Sequence, residues 1–268
     1  MRPVEIVRGS GPIVLGMPHG GTFVPGDIVE RLNEVGQGLS DADWHIDRLY
    51  RDLLPDATVV AATFHRYVID ANRDPEGTSL YPGQNTTGLV PLTDFDGRPL
   101  WREGEEPDEA EIADRLARFH APYHAALEAE LARVRAEHGI AILYDCHSIR
   151  SVVPYLFEGT LPDLNIGTNG GTSCAPTIEH AVAEAGAASP CSHVVNGRFK
   201  GGWTTRHYGR PDEGRHAIQM EIAQSAYMTE TPPWAYSRAK AETLRETLKT
   251  ILEAVAREAR RLTEETDR

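Results

Sequence analysis

Cysteine is scarce. The 268-residue chain holds Cys146, Cys174 and Cys191, an odd number without Cys-x-x-Cys spacing. That pattern excludes a disulfide framework and suits reduced thiols in the cytoplasm. Positive charge is also short, with 27 Lys and Arg against 40 Asp and Glu, a net charge of −13. Nucleic acid and anionic membranes both call for clustered positive charge, so neither is expected as the main partner. A small anionic substrate stays open, because a few arginines in a pocket hold a carboxylate whatever the overall sign. No apolar stretch is long enough to cross a bilayer, and residues 1–20 carry no charged segment leading into an apolar one. Neither a membrane span nor a secretory signal is therefore expected. A Walker phosphate loop, a Gly-x-Gly-x-x-Gly turn after a strand, an HExxH helix and internal repeats are all missing.

What is present reads as alternating strands and helices. Apolar runs predict strands at 12–17, 57–63, 66–70, 140–146, 163–167, 191–195 and 216–222. Helical spacing predicts helices at 41–54, 109–138, 176–187 and 234–263, with Gly139 placed to stop the second and Pro122 to kink it or start another. Interleaving of this kind predicts an α/β fold: one domain over 1–268, with a mixed, mostly parallel sheet flanked by helices. Two long polar segments interrupt it. Residues 71–108 carry turn signals at Asn72–Pro75 and Pro82–Asn85, and residues 196–215 mix five glycines with Arg198, Lys200, Arg206, Arg210 and Arg215. A glycine-rich loop bearing several arginines suits an anion pocket. The oligomeric state is not legible.

The chemistry concentrates at strand ends. Ala141–Tyr144 runs straight into Asp145-Cys146-His147-Ser148, and Pro12–Met17 runs into Pro18-His19-Gly20. Polar groups at the carboxyl ends of buried strands lie where α/β folds bind ligands. Two strands that each end on a histidine suggest two halves of one metal site, Zn2+ or another divalent transition metal. A hydrolytic zinc site needs a third ligand and a nearby base. Asp43, His45 and Asp47 all qualify as the third ligand, with Asp41 read as a helix N-cap, and local chemistry does not choose among them. Glu221 sits among apolar neighbours in the strand 216–222, where burial raises a carboxylate pKa toward that of a general base. Structural readings compete with each of these: hydrogen-bonded histidines at strand ends, and Glu221 paired to a buried arginine. His120 and His124 share one helix face but read as structural, and Cys174 in Gly171–Ala175 makes only a faint nucleophile elbow.

These residues fall into runs that resemble the N-formylglutamate amidohydrolase family. The runs are Met17–Gly20, Asp43–Ile46, Tyr67–Arg73, Thr86–Leu89, Asp145–Ser151, Asn165–Gly171, Asn196–Gly202 and Thr205–Gly209 through Gln219–Glu221. The resemblance implies a fold similar to zinc-dependent exopeptidases and amidases. It implies His19, Asp43 and His147 as metal ligands, Glu221 as the catalytic carboxylate, and hydrolysis of N-formyl-L-glutamate to formate and L-glutamate in histidine degradation. The small residue usual before the second histidine is here Cys146, whose thiolate is a further possible ligand. A doubly anionic substrate calls for arginines. Arg73 and Arg206 come first, then Arg66 and Arg150, with Asn169 as a further contact; Arg206 or Arg150 is expected to stabilise the oxyanion. The alternatives are a related amidohydrolase for another N-acyl amino acid or small peptide, a metal-independent Cys174 amidase, and a non-catalytic binder of acidic amino acids.

Overall fold

The computed structural model describes residues 1–78 and 85–266. The turn signal at 82–84 therefore lies outside the described residues. Seven strands form one sheet: β1 (Val4–Val7), β2 (Ile13–Met17), β3 (Thr58–Ala62), β4 (Ala141–Ile149), β5 (Leu164–Gly167), β6 (His193–Val195) and β7 (Arg215–Ala223), in the order β1-β3-β2-β4-β7-β5-β6. The central four, β3, β2, β4 and β7, run parallel, while β1 pairs antiparallel with β3 and β5 antiparallel with β7. The sheet is thus mixed, with a parallel centre.

Side chains alternate across each strand, and the two faces bury different clusters. Ile13, Leu15, Ile142, Tyr144, Ile218 and Met220 face one side. There they pack on α3 (Ile46–Tyr50), α6 (Pro176–Ala187) and α8 (Arg238–Thr266), the last through Leu244, Leu248, Ile251 and Val255. Val14, Val60, Leu143 and Ala217 face the other side, against Tyr123, Leu127 and Leu131 of α5 (Ala121–His138). Gly139 ends α5 at φ 72°, a left-handed cap that glycine adopts without strain.

Several elements depart from expectation. Residues 66–70 form no strand: Tyr67, Val68 and Ile69 are buried in an irregular segment. The helix predicted over 41–54 shrinks to α3, because the Asp43 amide bonds the His19 carbonyl and His45 turns left-handed at φ 61°. The pattern over 109–138 is interrupted. After α4 (Glu109–Arg115) one π turn, Leu116–His120, precedes α5, with Pro122 in its first turn. The short helices α1 (Gly26–Val29) and α2 (Glu34–Gln37), edge strand β1, and α7 (Trp203–Tyr208) inside the glycine-rich loop had no clear sequence signal. No helix among the described residues is long and apolar enough to cross a membrane.

Candidate functional site

The register of the sheet builds the site. Asp145 pairs with Gln219 and His147 with Glu221, so period-two alternation sends all four side chains to one face at the carboxyl ends of β4 and β7. His19 arrives just after β2. Asp43 comes from the loop before α3, held by its amide bond to the His19 carbonyl, 3.0 Å long.

His19, Asp43 and His147 are buried and offer nitrogen and oxygen atoms within 4.8 Å of one another. Asp43 Oδ2 lies 3.8 Å from His19 Nδ1 and 3.3 Å from His147 Nδ1. The far side of each ring meets a second carboxylate: His19 Nε2 is 2.7 Å from Asp70 Oδ1, and His147 Nε2 is 3.1 Å from Asp145 Oδ1. At His19 that carboxylate holds the proton on Nε2 and leaves Nδ1 as the donor for a ligand, the arrangement usual around metal-binding histidines. His19 Nδ1 is indeed buried without a hydrogen-bond partner, a costly state that a bound cation would relieve. Two imidazoles and a carboxylate are also the donor set that suits zinc, so the residues fit a divalent metal.

The charges around the group reinforce it. Arg66, 5% exposed, donates to Asp43 Oδ1 at 2.9 Å and lies 3.6 Å from Asp70 Oδ2. Burial works against a charged Asp43, but the His147 hydrogen bond and Arg66 outweigh it and hold the carboxyl below its usual range. Burial and Arg66 together lower His19, against Asp70 and Asp43, whereas Asp145 and Asp43 overcome burial and raise His147. Glu221 is pushed up to about 7, chiefly by burial. Its Oε2 accepts from Gln219 Nε2 at 3.0 Å, and Gln219 Oε1 in turn accepts the Gly202 amide.

His19, His147 and Glu221 open into one cleft. Its lining includes Arg66, Arg73, Arg198, Asn72 and Thr87. Arg73 is fixed by the Thr87 carbonyl and hydroxyl, both at 2.9 Å. Arg198 donates from Nε to the Leu156 carbonyl at 3.1 Å.

Other expected residues lie elsewhere. Arg206 donates to the Gly201 carbonyl and Arg150 to Asp96, and neither lines the cleft. Asn169 sits in a left-handed turn, φ 52°, bonded to Thr172. Asp41 caps no helix. It accepts from the Tyr67 hydroxyl and the Phe95 amide, and burial raises its pKa to about 6. Asp47 is exposed and pairs with Arg51, while His45 bonds the Trp234 carbonyl. Cys146 points to the opposite face of the sheet, into the core beside Tyr144, and burial drives its thiol pKa well up, so no thiolate approaches the imidazoles. Cys174 is raised to about 12, mainly by burial, and does not line the cleft. Sequence reasoning missed Asp70, Asp145, Gln219 and Asn72 as parts of the site. Asp145 had a usable signal, two residues before His147 on the same strand.

A mixed α/β sheet that gathers two imidazoles, a shared carboxylate and a raised-pKa glutamate at parallel strand ends defines a hydrolase-type centre. The comparisons narrow the class. The sequence pattern of the N-formylglutamate amidohydrolase family matches residues 11–228. An N-formylglutamate deformylase of Pseudomonas aeruginosa is 48% identical, over 92% of this chain and 94% of its own. One from Pseudomonas putida is 46% identical, over 92% and 93%. The crystal structure of an N-formylglutamate amidohydrolase from Ralstonia eutropha superposes with a TM-score of 0.80 at 28% identity, covering 97% of this chain and 99% of that one. A gene product of Agrobacterium tumefaciens, 18% identical, shares the fold at a TM-score of 0.73 over 96% of both chains. The chain belongs to the N-formylglutamate amidohydrolase family and is a hydrolase acting on an amide bond.

Proposed function

We propose that this protein hydrolyses N-formyl-L-glutamate to formate and L-glutamate, as a cytoplasmic step of histidine degradation, with a divalent metal such as zinc at His19, Asp43 and His147. The observation that carries the reading is the buried His–Asp–His group with its unpartnered His19 Nδ1, beside Glu221 and in a cleft that also holds arginines. When bound, the metal supplies a Lewis acid for the formyl oxygen and acidifies water. Glu221, poised near neutrality, takes the proton of the attacking water and delivers it to the leaving nitrogen as the formyl C–N bond breaks. Gln219 keeps that carboxylate aimed.

Arg206 and Arg150 do not line the cleft, so the oxyanion role passes in this reading to Arg66, whose Nε has no hydrogen-bond partner among the described residues. Arg73 and Arg198, the cations lining the cleft beside Arg66, take the two carboxylates of the substrate. Formate release from N-formylglutamate by the purified protein, before and after chelation and after metal return, tests the proposal. It expects release that is lost with the metal and restored with it. Turnover indifferent to thorough chelation contradicts the metal, and no release at all contradicts the substrate.

A further inference from the structure

The segment that carries Asp70, Asn72 and Arg73 belongs to no helix or strand, so its carbonyls lack the partners that regular structure provides. Two of them are claimed from outside. His124 Nε2 lies 2.8 Å from the Ala71 carbonyl, and His120 Nε2 lies 3.1 Å from the Arg73 carbonyl. A carbonyl only accepts, so each imidazole donates from Nε2. That leaves His124 Nδ1 as an acceptor, and the Tyr208 hydroxyl stands 3.0 Å away to donate to it.

The donors are built to persist. His120 is buried, and Trp203 covers both rings, its centroid 4.8 Å from that of His124 and 5.9 Å from that of His120. Burial lowers the pKa of His120 and, with His120 as a neighbour, drives that of His124 to about 3, so both stay neutral near neutral pH. The helix opens into its π turn as it delivers His120, with the Ala121 amide reaching back to the Leu116 carbonyl. Such turns recur at functional sites.

The two gripped carbonyls flank Asn72, on the backbone of the residues that meet the cleft. Asn72 Nδ2 is 3.2 Å from His147 Nε2, its Oδ1 accepts the Thr204 amide at 2.9 Å, and its amide donates to Asp70 Oδ1 at 2.8 Å. The fit is close: a Cβ on Gly202 would fall 2.4 Å from Asn72 Nδ2. A shift at Ala71 or Arg73 therefore displaces Arg73 in the cleft.

We infer that His120 and His124 are positioning residues for substrate: they lock the Asn72–Arg73 backbone by its carbonyls so that the Arg73 guanidinium is presented to a carboxylate of the bound N-formyl amino acid. This rests on the reading of Arg73 given above. The test is steady-state kinetics on N-formylglutamate with metal content measured alongside. His120→Leu and His124→Leu should each raise KM about tenfold while kcat stays within about threefold and metal content is unchanged. His120→Gln and His124→Gln, which keep an amide donor, should recover most of the affinity. In an Arg73→Lys background the Leu replacements should change KM by less than about twofold, because the coupled residues have already lost their effect. Where a Leu variant fails to fold, His124→Asn serves, since its shorter amide stops short of the Ala71 carbonyl. Unchanged KM in the folded histidine variants, or a full and independent rise in the Arg73→Lys background, overturns the inference while Arg73→Lys alone still raises KM. A wild-type KM in Arg73→Lys overturns the substrate reading, and the inference with it.

Discussion

At the scale of single residues, the site is a set of buried charges each held by another. Asp70 and Asp145 are fully buried, one against each imidazole, and Thr205 donates to Asp145 at 3.1 Å. Asp70→Asn should keep the fold but weaken metal affinity by about 10–100-fold, the usual cost of losing such a partner, as read by competition with a chelating dye. Wild-type affinity would mean that the carboxylate does not orient His19. Glu221→Gln should retain metal and substrate binding yet lower kcat by at least ~10²-fold; near-normal kcat in metal-loaded protein leaves Glu221 a structural part only. The two cleft arginines separate by substrate. Whichever of Arg73→Lys and Arg198→Lys held the side-chain carboxylate should lose less on N-formylglutamine than on N-formylglutamate, because lysine forfeits the planar fork only where a carboxylate used it. Equal penalties on both substrates in both variants would mean that neither reads that group. His19, His147 and Glu221 were legible because strand ends point into clefts. Asp70 was not, since an acid after Val68-Ile69 reads the same whether it ends a strand or braces a ligand.

At the scale of elements, legibility followed the backbone's hydrogen bonds. β2, β4 and β7 are apolar runs whose carbonyls find partners in neighbouring strands, so the residue pattern and the structure agree. Residues 66–70 have the same apolar look, but their backbone finds scattered partners outside any ladder: the Val68 amide bonds the His65 carbonyl, the Asp70 amide the Leu89 carbonyl, and Arg115 donates to the Val68 carbonyl at 3.0 Å. Periodicity cannot see a partner that arrives from another helix. α7 escaped notice because it spans only Trp203–Tyr208, too short for a helical pattern to register among glycines. The long α8 carries the opposite case, a clear apolar stripe with Leu248 fully buried against the sheet. Leu248→Ala should cost about 2–5 kcal/mol in urea unfolding with no change in KM for the protein that remains folded. A cost under about 0.5 kcal/mol would mean that α8 is not part of the core.

At the scale of the whole molecule, the order β1-β3-β2-β4-β7-β5-β6 brings three strand ends together far from where they lie in sequence. The α/β class and the mixed sheet follow from alternation of elements, but their order does not, because parallel neighbours are chosen by tertiary packing. That is why Asp43, His45 and Asp47 all stay open as third ligand in the sequence, whereas the folded loop before α3 brings Asp43 to the His19 carbonyl. The opposite end of the sheet contributes to acid sensitivity. His216 Nδ1 accepts the Ala175 amide at 3.1 Å, and burial lowers its pKa from 6.5 to about 4. As pH falls below 6.5 the unfolded chain takes up this proton and the folded chain does not, until about 4. Stability should therefore decline across that window, by up to roughly 3 kcal/mol from this residue, with His65 and His124 acting in the same direction. His216→Gln should flatten the slope of urea-unfolding free energy against pH. An identical slope would remove His216 from the account.

The central claim is that His19, Asp43 and His147 form one metal centre. Elemental analysis of the wild type and single variants tests it most directly. One ion per chain should be present in the wild type and in Asp47→Asn, weaker binding should appear in Asp43→Asn, and the ion should be missing from His19→Ala and His147→Ala, each still folded. Full occupancy in both histidine variants, or metal lost from Asp47→Asn and kept by Asp43→Asn, would contradict it.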